Sequence, residues 1–340
     1  MHKSFLAVIT AAILFISGVF EVANAQDPKY PSTITVSKDG SGNYQTIQEA
    51  INSVRDLGEK EVKIYIKNGT YREKLIIPSW KMKISLIGES KENTVITNDD
   101  YSGKNTPVKD AFGKHKFSTY TSFTFLVQGN DVKLENLTIA NTAGRVGQAV
   151  ALHVEGDRFM ARNCNILGNQ DTLYAAVENS RQFYEHCFIE GTTDFIFGKA
   201  IVVFQNCEIK SLTDSYITAA ATSAQQKFGF VFLNCKLIAA KNVTKTYLGR
   251  PWRPFAKTVF INCELDKHIL PVGWNPWKGD LMFPDKEQTT FYAEYNSNGP
   301  GASPKTRVEW SKQLSNKEAK TYTIQNILGG TERWNPLLNF

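Results

Sequence analysis

The sequence predicts an all-β fold, a single-stranded parallel β-helix with a short N-terminal capping helix. Three observations predict it: a strand-like phrase repeated around five cysteines, steps of 20–28 residues between repeats, and one capped amphipathic segment ahead of them.

The phrase reads FMARNCNI, RQFYEHCFI, IVVFQNCEI, GFVFLNCKL and KTVFINCEL, centred on Cys164, Cys187, Cys207, Cys235 and Cys263. KLENLTI places Leu137 in the same slot. Apolar and polar residues alternate around each slot, as in a strand, and Gly-, Asn-, Asp- or Thr-rich turns follow. Slot-to-slot steps of 27, 23, 20, 28 and 28 residues mark a solenoid. A leucine-rich repeat would show spaced leucines and usually a helix per repeat, and the chain has neither. In a β-helix the slot becomes an internal ladder with strands ~4.8 Å apart, its cysteines acting as small buried hydrophobes. The odd cysteine count and the lack of CxxC argue against a disulfide framework, a zinc site or a dithiol centre.

An open solenoid end needs a cap. In TIQEAINSV, Thr46 stands three residues before Glu49, a capping-box spacing, and Ile47, Ala50, Ile51 and Val54 share one helical face. The stretch WSKQLSNKEAKTY at 310–322 reads as a helix or long loop against the outside.

Residues 1–25 read as a secretory signal peptide: Lys3, the apolar run FLAVITAAILFISGVF, then ANA before Gln26. Its apolar run is short for a membrane span, so no membrane association is expected after cleavage, and the location is secreted or periplasmic. Residues 26–340 form one expected catalytic domain, with no linker-like composition break. Net charge is +6 and stays so after cleavage, since Lys3 and Glu21 leave together. The lysines are scattered, which fits an acidic polymer better than nucleic acid.

Asp171 lies seven residues after Cys164, and Asp194 seven after Cys187. If the cysteines stack, the two carboxylates fall on one face of successive coils, the arrangement used in acid/base and covalent catalysis. Asp214 is also seven after its cysteine, so register alone does not define a site, and turn-capping by Asp is the competing explanation. The apolar flanks in NQDTLY and GTTDFIFG favour a protonated acid in one member of the pair, whereas Asp214 in SLTDSY is expected to be structural. No GxSxG, HExxH or GxxxxGK occurs. His186 stands in a slot otherwise held by Asn and is expected to pack the coil.

GTYRE (69–73), NTAG (141–144), QAVAL (148–152), LGRPW (248–252), PVGW (271–274) and FYAEYNSNGPGA (291–302) accompany the two acidic segments in order. Together they resemble the pectin methylesterase (pectinesterase) family over nearly the whole mature chain. The resemblance implies a right-handed, pectin-lyase-like β-helix with a carbohydrate cleft, no metal and no cofactor. It implies hydrolysis of the C6 methyl esters of polygalacturonate to pectate and methanol, by a monomer acting on methyl-esterified homogalacturonan. Asp194 resembles the nucleophile and Asp171 the general acid, then base. Gln148 and Gln170 resemble the oxyanion donors, and Arg250 the arginine that orients Asp194. Tyr174, Phe197, Trp252 and Trp274 resemble the aromatic residues against which sugar rings pack.

Two departures stand out: Thr193 beside Asp194 where the family usually has Val, and His153 after QAVAL where Arg is common. No long pro-region precedes the catalytic part, so inhibition by one is not expected. The alternative reading is a related carbohydrate-active or thioester hydrolase on the same solenoid. A calcium-dependent lyase would need a carboxylate cluster, and a non-catalytic carbohydrate binder has no reason to keep both acids, both glutamines and Arg250.

Overall fold

The computed structural model describes residues 30–109 and 113–338; the signal-peptide reading of 1–25 lies outside them. Among the described residues, strands stack into sheets of 11, 8 and 7. Every pairing between named strands is parallel, so the chain winds as a right-handed parallel β-helix. No helix among the described residues is long and apolar enough to cross a membrane.

Each cysteine phrase spans two strands of different sheets, where the alternation suggested one. Phe159–Arg162 belongs to the 11-stranded sheet and Asn165–Leu167 to the 8-stranded sheet. The corner is the residue before the slot. Asn136, Asn163, His186, Asn206, Asn234 and Asn262 all adopt left-handed backbone with φ between 49° and 54°. Asn tolerates this conformation better than other non-Gly residues, which explains the repeated Asn-Cys. Side-chain bonds between coils support the corner, as from Asn163 Nδ2 to Asn136 Oδ1 at 2.7 Å. His186 takes the same corner conformation, but its side chain is exposed and does not pack the coil as expected.

Behind the corners the ladders are apolar. Leu137 and the five cysteines are at most 1% exposed, and all five thiols are free. Ile139, Ile166, Ile189, Ile209, Leu237 and Leu265 form the neighbouring column by register. Tyr184, Phe204, Phe232 and Phe260 stack along the coil axis at 4.3–5.1 Å between ring centroids.

The capping helix is Ile47–Ser53, with Ile47, Ala50 and Ile51 fully buried against the first coil. Thr46 accepts from the Glu49 amide as expected. The reciprocal bond of a capping box is not made: the Glu49 carboxylate accepts from the Thr46 hydroxyl at 2.7 Å, and the Glu73 carboxylate accepts from the Ile47 and Gln48 amides, at 3.0 Å each. Over 310–322 there is a two-residue strand, Lys312–Gln313, and a one-turn helix, Asn316–Ala319, with a Ser315–Glu318 capping box.

Candidate active site

The site lies on the outer face of the 7-stranded sheet. Leu173–Ala175 pairs with Ile196–Gly198 in the register Leu173↔Ile196 and Tyr174↔Phe197. Counting back two residues puts Asp171 and Asp194 in equivalent positions, one strand spacing apart, roughly 4.8 Å. Both have left-handed backbone, φ 65° and 50°, and both are nearly buried. Asp short enough to adopt this conformation lets the chain turn just before the strand begins.

Asp214 does not join them. Ile196 pairs with Thr218, so two extra residues in the preceding turn place Tyr216 beside Asp194, whose amide donates to the Tyr216 carbonyl at 2.8 Å. The Asp214 carboxylate instead accepts from the Thr244 and Lys245 amides at 2.7 and 2.9 Å. These bonds hold it below the usual carboxylate range, a turn-capping role as expected.

Arg250 comes from Tyr247–Pro251, two coils beyond Asp194. Its column by register is Tyr174, Phe197, Ala219, Arg250, and the small Ala219 leaves room for the side chain to reach back. The guanidinium grips Asp194 with both arms, Nε to Oδ1 at 2.9 Å and Nη2 to Oδ2 at 2.6 Å. It is held between rings, 4.0 Å from the centroid of Tyr216 and 3.5 Å from that of Trp277. A bidentate pair of this kind fixes direction as well as charge.

Burial pushes the Asp194 carboxyl above the usual range, while Arg250, and Lys286 after it, pull it back. Asp171 is pushed well above, by burial first and by the Asp194 charge second, with Arg250 opposing. Of the pair, Asp194 therefore ionises first and Asp171 keeps its proton.

Gln148 and Gln170 meet as an isolated parallel bridge at the edge of the sheet. Both are half-buried, and neither side-chain amide has a protein hydrogen-bond partner among the described residues. Thr193 gains from its departure: its hydroxyl meets Ser215 Oγ at 2.8 Å on the next coil, a contact Val could not make. His153 packs on Tyr174, ring centroids 4.5 Å apart, with Nε2 3.2 Å from Glu155 Oε1. No three His, Cys, Asp or Glu side chains converge as a metal cage among the described residues.

The aromatic residues divide. Tyr174 stacks on Phe197 at 4.4 Å and 8°, and Phe197 meets Trp252 edge-on at 5.8 Å, forming one outer cluster beside the acids. Trp274 is corrected: it is 1% exposed and lies inside the coil, with its ring between Phe260 and Tyr292. Its backbone bridges to Gly249 as a further rung of the sheet, which turns the side chain inward. Trp277, three residues on, reaches the outer cluster instead. Sequence reasoning missed it, although NPW directly after PVGW was the available signal.

Comparison with known proteins agrees with this geometry. The Pectinesterase family model matches residues 33–331. Pectinesterase 2 of Citrus sinensis is 37% identical over 324 residues, 91% of this chain and 59% of that protein. The Arabidopsis thaliana protein named "Probable pectinesterase/pectinesterase inhibitor 58" is 38% identical over 314 residues, 88% and 52% respectively. The chain spans about half the length of the curated relatives it matches. Among solved structures, a pectin methylesterase from carrot superposes with a TM-score of 0.79 at 34% identity, covering 90% of this chain and 96% of that one. A pectin methylesterase in complex with a hexasaccharide gives 0.76 at 31%, covering 89% and 97%. With a family match running from the first strand to the C-terminal segment, this chain belongs to the pectinesterase family.

Proposed function

We propose that the chain is an exported pectin methylesterase that hydrolyses C6 methyl esters of polygalacturonate with Asp194 as nucleophile and Asp171 as general acid and base. The observation that carries this reading is the two-armed Arg250–Asp194 pair with a second buried carboxyl, free of any cation, one coil away. A carboxylate is a weak nucleophile, so it must be charged, aimed and close. Arg250 supplies the first two, and Asp171 supplies a proton.

In the first half-reaction an Asp194 oxygen attacks the ester carbonyl, and the carbonyl electron pair moves to oxygen. The Gln148 and Gln170 amides donate to that oxyanion. Preorganised neutral donors stabilise developing charge without adding a charge to the resting site. Collapse breaks the bond to methoxide, Asp171 protonates it, and methanol leaves. In the second half, ionised Asp171 takes a proton from water, the hydroxide attacks the acyl-Asp194 carbonyl, and the acid product departs with both aspartates restored.

Tyr174, Phe197 and Trp252 offer the apolar floor for sugar rings, in line with the hexasaccharide held by a structural relative. The net charge of +6 favours approach of a polyanion.

Methanol release from highly methylated pectin, wild type against Asp194→Asn at equal folded protein, tests the reading. Release by the wild type and a loss of about ten-thousand-fold in the variant are expected. Folded wild type that frees no methanol overturns the substrate, and acetylated sugars and thioesters are then assayed with the same pair.

A further inference from the structure

The segment between Trp274 and Phe291 leaves the coil and returns to it, and within it Lys286 buries its whole side chain, 0% exposed. Enclosing an ammonium costs several kcal/mol unless it is paired, and an apolar side chain of equal volume would fill the same space at less cost. Lys286 has two partners. Asp280 Oδ2 lies 2.6 Å from Nζ, and the Trp277 ring centroid lies 4.6 Å away. Asp280 is itself fixed, because its Oδ1 accepts from the Met282 and Phe283 amides at 3.0 and 3.3 Å.

Trp277 is the same ring that packs on the Arg250 guanidinium at 3.5 Å, and Arg250 is the partner of Asp194. The contacts therefore run unbroken from Asp280 through Lys286, Trp277 and Arg250 to Asp194. The charged or titratable groups acting on Asp194 are Asp171, Arg250 and Lys286, with the Tyr292 phenol in the core behind; those acting on Lys286 are Asp280, Arg250 and Arg253. Asp280 stands on the wetter side, 18% exposed, where water screens its charge. Lys286 stands on the dry side, so its counter-ion cancels its positive field only in part, and the remainder acts on Asp194.

We propose that Lys286 is a positioning residue for the reaction: its buried ammonium clamps Trp277 against Arg250 and adds a positive field that keeps Asp194 ionised. The proposal rests on Asp194 acting as the nucleophile. Lys286 touches neither the sugar floor nor the reacting atoms, so its loss falls on kcat and on the acid limb of the pH profile, not on KM.

The test compares wild type, Lys286→Met and Lys286→Arg by kcat and KM over pH. The titration of the Asp194 carboxyl is followed by carbon NMR, assigned with Asp194→Asn. In Lys286→Met, kcat is expected to fall about tenfold with KM within about twofold. The Asp194 titration and the acid limb are expected to move up together by about half a pH unit or more, and Lys286→Arg is expected to restore most of both. An unmoved Asp194 titration and acid limb in Lys286→Met overturn the proposal, even if the melting temperature drops, because Lys286 then only packs the loop. Should Lys286→Met fail to fold, Lys286→Gln keeps a hydrogen bond to Asp280 without the charge and is read the same way. Wild type that releases no methanol sinks the substrate reading alone, since the carboxyl titration needs no substrate.

Discussion

Asp171 and Asp194 share one register position on consecutive coils and one left-handed backbone conformation, yet only Asp194 has a cation in its grip. The Asp171 carboxyl makes no side-chain hydrogen bond among the described residues. Two chemically identical groups are thus separated by what the second coil beyond Asp194 brings: Arg250, reaching back past Ala219. The repeat makes the pair, and one long side chain makes the members unequal.

Asp171 should destabilise the fold at neutral pH. Its folded-state pKa is raised well above 3.8 by burial and by Asp194. The folded state therefore holds this proton more tightly than the unfolded chain. The resulting stability is complete below the unfolded pKa and is lost as pH rises through the folded value. Asn stays neutral in the buried site without taking up a proton on folding, so at neutral pH the melting temperature of Asp171→Asn should exceed that of wild type by about 2 to 4 °C. The difference should vanish below about pH 4, where wild type is protonated too. Melts at both pH values check this, and a variant less stable than wild type at neutral pH would contradict it.

Gln148→Ala and Gln170→Ala should each lower kcat by about a hundredfold to a thousandfold with little change in KM. Their amides are half-buried and unengaged, so neither change should move the melting temperature appreciably. Steady-state methanol release measures the split. A rise in KM at constant kcat would make them ordinary binding residues.

Trp252 and Trp274 should behave oppositely. Trp252 lies at the edge of the outer aromatic cluster and is half-buried, so Trp252→Ala should raise KM on polymeric substrate while the protein stays folded. Trp274 is enclosed by Phe260 and Tyr292. Trp274→Ala should cost about 3–5 kcal/mol of stability, seen in denaturant melts. Equal effects of the two on KM, without loss of stability in the second, would return Trp274 to the cleft.

The cysteine ladder should be inert to redox and sensitive to polarity. With all five thiols free and buried, reductant should leave the melting temperature unchanged. Cys207→Ser puts a hydroxyl into the apolar column and should cost about 1–3 kcal/mol. A melting temperature that falls with reductant would reveal a cross-link and refute the ladder.

Much of the site was legible because the coil repeats. Equal spacing from Cys164 and Cys187 implied that Asp171 and Asp194 stack, and it held because the turns between are equal in length. The same count failed for Asp214, where two extra residues put Tyr216 in the slot. FMARNCNI read as one strand because alternation continues across the corner, and the left-handed Asn that bends it leaves no mark on hydropathy.

What the sequence by itself determined is the periodic part: the solenoid, its cysteine column, the capped helix over its end, and the stacked acids. These follow from local chemistry and from spacing, which the chain states directly. Only the tertiary structure decided which tryptophan joins the outer aromatic cluster, where Arg250 points, and that Lys286 sits against Trp277. Those depend on loops that leave the coil and return, where no repeat constrains direction. There, the burial of a ring or an ammonium is settled by its neighbours from distant coils.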